Sequence, residues 1–130
     1  MGTRISARLL LAIGLLASCF SASANPRLLL FGGPGHRVFL GCLNCDRYSN
    51  ESVQNQYSDY GSRYSDTSVL NPYSDYGSKY SDYGACNRYA SDPPVIVDDN
   101  GNYYGRLTVN RYADQTRMND VAAWISGVCA

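Results

Sequence analysis

Histidine and tryptophan each occur only once in this chain of 130 residues. His36 has no Gly-x-Ser-x-Gly elbow to serve and no partner singled out by spacing, so it is expected to be a solvent-exposed turn histidine rather than a catalytic base. No acid pair sits in an apolar setting that would drive two carboxyl pKa values apart, which disfavours enzymes in general. No catalytic, cofactor-binding or metal residue is therefore assigned. Charge of either sign is also in short supply as a patch: 11 basic residues face 11 acidic ones. That balance argues against nucleic-acid binding, which needs a basic surface. Aliphatic residues for a core are scarce, and the longest apolar run, Leu9 to Phe20, is too short to span a bilayer.

That run is instead informative as an address. Arg4 and Arg8 precede it and Ala22-Ser23-Ala24 follows it, the layout of a signal peptide covering 1–24, with a mature chain from Asn25. A competing layout is Leu16-Ala17-Ser18-Cys19, which is similar to a lipobox: cleavage after residue 18 would make Cys19 the lipidated N-terminus. Either route gives an exported protein, periplasmic or extracellular, touching a membrane only through a lipid anchor. Residues 25–130 are expected to form one small domain. Loss of Arg4 and Arg8 leaves 9 basic against 11 acidic residues. It also leaves Cys42, Cys45, Cys86 and Cys129, an even set that favours two disulfides in an exported chain.

What the sequence has in excess is tyrosine, and it is periodic. Residues 48–90 hold nine of the twelve tyrosines and repeat every 16 residues. Equivalent positions are Tyr48, Tyr64 and Tyr80; Val53, Val69 and Ala85; Asn55, Asn71 and Asn87; Tyr57, Tyr73 and Tyr89; and Gly61 with Gly77. A fixed period predicts a repeated local shape. Ser52 can cap a short turn, Asn55 can end it in the left-handed conformation, and Gly61 can permit a second reversal. Turn-rich loops packed over a sheet, small solenoid coils and a disordered tract all compete. Solenoid stacking would align Asp59 with Asp75 and Asp66 with Asp82, and the wealth of rings with little net charge disfavours disorder.

Regular elements are expected on both sides of the repeats. Arg27 to Phe31 and Arg37 to Gly41, joined by Gly32-Gly33-Pro34-Gly35, predict a β-hairpin. No Gly-Lys-Ser/Thr follows those glycines, so they form no phosphate loop. Val95 to Val97 and Tyr103 to Val109, joined through Asn100-Gly101, predict a second hairpin. Phe39 to Tyr48 aligns with Tyr103 to Tyr112 at an offset of 64 residues, four repeat lengths, so the two hairpins read as pseudo-repeats pairing in one antiparallel sheet. Asn119, as N-cap, opens a short helix whose Val121, Trp124, Ile125 and Val128 form an apolar stripe. The expected class is α+β: a small antiparallel sheet, the tyrosine array between its hairpins, and a C-terminal helix.

Cys42-Leu43-Asn44-Cys45 carries the sharpest chemistry. A redox CxxC usually opens a helix, whereas this one follows an apolar strand. Two cysteines three apart in a continuous strand are about 10 Å apart, too far for a bond, so the strand must turn at Asn44 or each must find a distant partner. Bonds Cys42–Cys45 and Cys86–Cys129 are favoured over the crossed connectivities. A zinc site from Cys42, Cys45, Cys86 and either Cys129 or His36 lacks the second paired motif of a zinc ribbon. Asp98 to Asn102 resembles a calcium loop only faintly, with Tyr103 and Val109 where glycine and glutamate are required.

Leu40-Gly41-Cys42-Leu43-Asn44-Cys45, the Tyr-Gly-Ser-x-Tyr-Ser units and the closing Gly-x-Tyr-x-Gly-x-Leu segment together resemble a group of small exported bacterial proteins of uncharacterised function. The resemblance spans Val38 to Tyr112 and implies no activity or cofactor. The reading that follows from the residues is a noncatalytic envelope or surface binding module, with an envelope polymer or protein as partner and Tyr57, Tyr60, Tyr73 and Tyr76 as contacts. Thiol–disulfide exchange at Cys42 and Cys45 is the alternative.

Overall fold

The computed structural model describes residues 25–130. The leader 1–24, Cys19 and both cleavage sites lie outside the described residues. Four strands form one antiparallel sheet in the order β2-β1-β3-β4. They are β1 (Leu28–Gly32), β2 (Val38–Cys42), β3 (Val95–Asp98) and β4 (Tyr103–Arg106). The two hairpins join through β1 and β3, where Leu30 faces Ile96 and Phe31 faces Val95. The long tyrosine-rich connection therefore leaves one edge of the sheet and returns to its centre.

Both hairpins bend at a glycine. In β2 the register slips opposite Leu30 and Phe31, and in β4 it slips opposite Val95 and Val97. Gly41 and Gly105 stand at these bulges with φ of 111° and 88°, where a Cβ would be strained. After Gly41, Cys42 gives its N–H to Glu51 O and accepts from Val53 N. After Gly105, Arg106 gives its N–H to Asp114 O and accepts from Thr116 N. That departure is why β4 stops at Arg106 and not at Val109.

Helix α1 (Asn119–Val128) closes the chain. Asn119 lies inside the helix rather than capping it; Met118 is the N-cap, and Thr116 Oγ1 accepts the Met118 N–H. Ile125 is fully buried, with Val121, Trp124 and Val128 packed around it.

The core joins sheet, repeats and helix. Leu30, Leu40 and Ile96 come from strands, Val53, Val69 and Ala85 from equivalent repeat positions, and Leu107 and Ile125 from the C-terminal part. Removing a buried aliphatic side chain of this kind typically costs about 2–5 kcal/mol. Disulfides join Cys42 to Cys45 and Cys86 to Cys129, at Cα separations of 5.5 and 5.3 Å. The second ties the end of α1 to the third repeat. Two such bonds indicate an oxidising, non-cytoplasmic compartment. Among the described residues no helix is long and apolar enough to cross a membrane.

Candidate functional site

The segment 48–90 contains almost no regular secondary structure, yet its polar side chains are systematically used. Asn71 Oδ1 accepts the Tyr73 N–H and Asn71 Nδ2 donates to Ser65 O, both at 3.0 Å. Asn55 makes the corresponding bonds with Tyr57 N and Ser49 O, and Asn87 with Tyr89 N and Ser81 O. Ser58 Oγ donates to Ser52 O and accepts from Gly61 N; Ser74 does the same with Ser68 O and Gly77 N. These asparagines work through their side chains. The left-handed conformation expected at Asn55 is absent, because His36 and Asp114 are the positive-φ non-glycine residues among those described. Gly61 and Gly77 are required for space: a Cβ there would lie 2.1 Å from Asn55 O and 2.2 Å from Asn71 O.

The corners sort the tyrosines into two populations. Tyr48, Tyr57, Tyr64, Tyr73, Tyr80, Tyr89 and Tyr112 are each at least 80% exposed. Every one of the seven has its backbone N–H held by the side chain two residues earlier: Asp46, Asn55, Ser62, Asn71, Ser78, Asn87 and Asn110 respectively. Such Asx and Ser/Thr turns fix the local backbone, so the rings project from rigid positions. Tyr60 and Tyr76 differ. They are half-buried and pack on the core, Tyr60 edge-on to Phe39 with ring centroids 4.9 Å apart and Tyr76 against Gly32. Of the four expected contact tyrosines, Tyr57 and Tyr73 face solvent, whereas Tyr60 and Tyr76 serve packing.

Beside the exposed rings lie two open grooves. One, of about 530 Å³, is lined by Arg63, Tyr64, Leu70, Pro72, Tyr73 and Lys79, with the end of α1 on its other side. The second, of about 840 Å³, is lined by Lys79, Arg88, Tyr89, Arg111, Tyr112 and Gln115. They share a wall at Lys79 and the Cys86–Cys129 bridge. Sequence reasoning missed this arrangement. Its signal was the basic residue directly before a tyrosine in Arg63-Tyr64, Lys79-Tyr80, Arg88-Tyr89 and Arg111-Tyr112, a pair that Arg47-Tyr48 shares without lining either groove.

His36 is not free in a turn. It is half-buried, with Nε2 2.7 Å from Asp92 Oδ1, and Arg106 also donates to Asp92. Burial alone would raise the Asp92 pKa, but the hydrogen bonds from Arg106 and His36 outweigh it and hold the carboxyl below its ordinary value. At the second hairpin turn, Asp98 accepts hydrogen bonds from Asn100 N, Asn102 N, Asn102 Nδ2 and the Tyr104 hydroxyl. Burial opposes the charge here too, and these bonds overcome it and hold the Asp98 pKa at about 2. Both carboxylate oxygens are thus occupied in a structural turn.

The cysteines offer little open chemistry. Cys42 is fully buried at the end of β2, Cys45 is half-buried, and no helix begins at either. All four are oxidised, which leaves no thiolate among them to hold zinc. Comparison with family models, with curated proteins and with solved structures finds no match to this chain.

Proposed function

We propose that the protein is a noncatalytic exported module of the cell envelope or surface, akin to the small exported bacterial proteins it resembles, and that it binds through its outward tyrosines. The observation that carries this reading is the set of seven exposed rings, each on a backbone amide locked by its own upstream side chain. Tyrosine presented this way offers large amphipathic contact area at small entropic cost. The 16-residue unit is the display element in this reading, and the paired hairpins, as pseudo-repeats, are the frame that carries it.

The test is co-sedimentation of the purified mature chain with isolated envelopes. Replacing Tyr57, Tyr73 and Tyr89 together by Ala is expected to weaken association about tenfold or more, ~1.4 kcal/mol. Tyr103→Phe, outside the array, should leave it unchanged. A folded triple variant that sediments as well as the wild type would refute the reading.

A further inference from the structure

We propose that the two grooves beside the Cys86–Cys129 bridge bind an acidic polysaccharide built of uronic-acid sugars, with Arg63, Lys79, Arg88 and Arg111 holding carboxylates and neighbouring tyrosines stacking on sugar rings. This ligand class deepens the envelope-binding reading and depends on it.

Charge complementarity points to an anion. Among the described residues four cationic side chains line the joined grooves and no Asp or Glu does, although acidic residues outnumber basic ones between residues 25 and 130. Ala130 stands at the shared wall. Among the described residues the ion pairs use Arg27, His36 and Arg106 and none of these four cations. Their charges are therefore not spent inside the fold.

The choice of carboxylate and of polymer follows from chemistry and shape. Three of the four cations are arginine, whose planar fork matches a carboxylate or a phosphate through two parallel hydrogen bonds, and the rings beside them favour the anion that a sugar ring itself carries. Tyr64 and Tyr73 flank the first groove and Tyr89 and Tyr112 the second, supplying flat faces next to the charges. A uronate chain alternates apolar ring faces with carboxylates, which is the same pairing. Small ligands favour enclosed pockets that bury most of their surface, whereas two open grooves sharing one wall suit a continuous chain.

The experiment is affinity electrophoresis of the mature chain in gels containing polygalacturonate, neutral dextran or dextran sulfate. Retardation by polygalacturonate and none by dextran is expected. Arg63→Gln with Arg111→Gln, and separately Tyr64→Ala with Tyr112→Ala, should each raise the apparent Kd for polygalacturonate at least tenfold with an unchanged circular dichroism spectrum. Arg117→Gln, an exposed arginine outside both grooves, should have no effect. Absence of polygalacturonate binding would overturn the assignment, as would equal loss in Arg117→Gln, or dextran sulfate binding as tight as polygalacturonate binding. If the chain sediments with envelopes yet ignores polygalacturonate, the uronate assignment fails while the broader binding reading stands.

Discussion

Asn71→Asp isolates how the tyrosine array is held. Asn71 is buried, with 5% of its surface exposed, and uses its amide in both directions: Oδ1 accepts from Tyr73 N and Nδ2 donates to Ser65 O at 3.0 Å. Aspartate has almost the same shape and keeps the first bond. It loses the second and sets a carboxylate oxygen against the Ser65 carbonyl. Losing a hydrogen bond worth about 1 kcal/mol and setting a buried charged oxygen against the Ser65 carbonyl, which keeps only its bond from Ser68 N, should together cost about 2–3 kcal/mol near neutral pH. For a domain of this size that is a fall in Tm of roughly 10–20 °C. Protonation restores a donor, so the folded state favours the protonated acid and the pKa of the introduced carboxyl should rise above its unfolded value. The deficit should therefore be full above the folded pKa and shrink as pH falls through it. Urea unfolding at about pH 7 and about pH 4.5, with Asn50→Asp as an exposed control, measures this. A difference below about 0.5 kcal/mol near neutrality, or no recovery in acid, would refute the assigned role.

Two further outcomes follow from the disulfide and the hairpin turn. Replacing Cys86 and Cys129 by Ser opens a loop of 43 residues' separation, and the chain-entropy relation then predicts a loss of about 4 kcal/mol by urea unfolding; a loss under about 1 kcal/mol would mean that α1 docks without help from the bridge. Asp98 has a folded pKa of about 2 against an ordinary 3.8, so its stabilisation is complete above the ordinary value and lost as pH falls toward the folded one. Asp98→Asn should make the acid limb of a dichroism titration shallower over that interval, and superimposable acid limbs would count against the turn's contribution.

The sheet was legible because its signals are local. Asn100-Gly101 names a hairpin turn, Gly33-Pro34-Gly35 names another, and β-branched or aliphatic runs flank both. Strand ends were less legible. β4 stops at Arg106 because the chain bulges at Gly105 and pairs onward with Asp114 and Thr116, a contact no strand pattern encodes. The helix stripe was readable, but its start was displaced by one residue: Met118 is the N-cap, its N–H held by Thr116, and Asn119 is already helical. His36 does lie in the hairpin turn, but its contact with Asp92 joins residues 56 apart in sequence, so it looked solvent-exposed and unpartnered. Tyrosine orientation was hardest, since a chain of turns has neither the two-residue alternation of a strand nor the 3.6-residue period of a helix. Asn, Asp or Ser two residues upstream marks every exposed tyrosine of the ladder, but Ser58 also precedes half-buried Tyr60, so that signal is incomplete.

Two explanations of the tyrosine excess, substitution for missing aliphatic core and outward display, apply to different positions of the same unit. Tyr60 and Tyr76 occupy the position just before Gly61 and Gly77, where the Ser58 and Ser74 hydroxyls turn the chain inward, and their rings widen a core built mainly of Leu, Val and Ala. Tyr57 and Tyr73 lie three residues earlier, directly after the outward side of the asparagine turn. Asn71 buries its amide and Asn55 half-buries its own to hold that turn, a demand that a merely solvated loop would not impose. An exposed aromatic brings no core stability, and a series of them is an association hazard on a soluble surface. Burying the amides of Asn71, Asn87 and Asn110 beneath Tyr73, Tyr89 and Tyr112 is coherent when those rings are used.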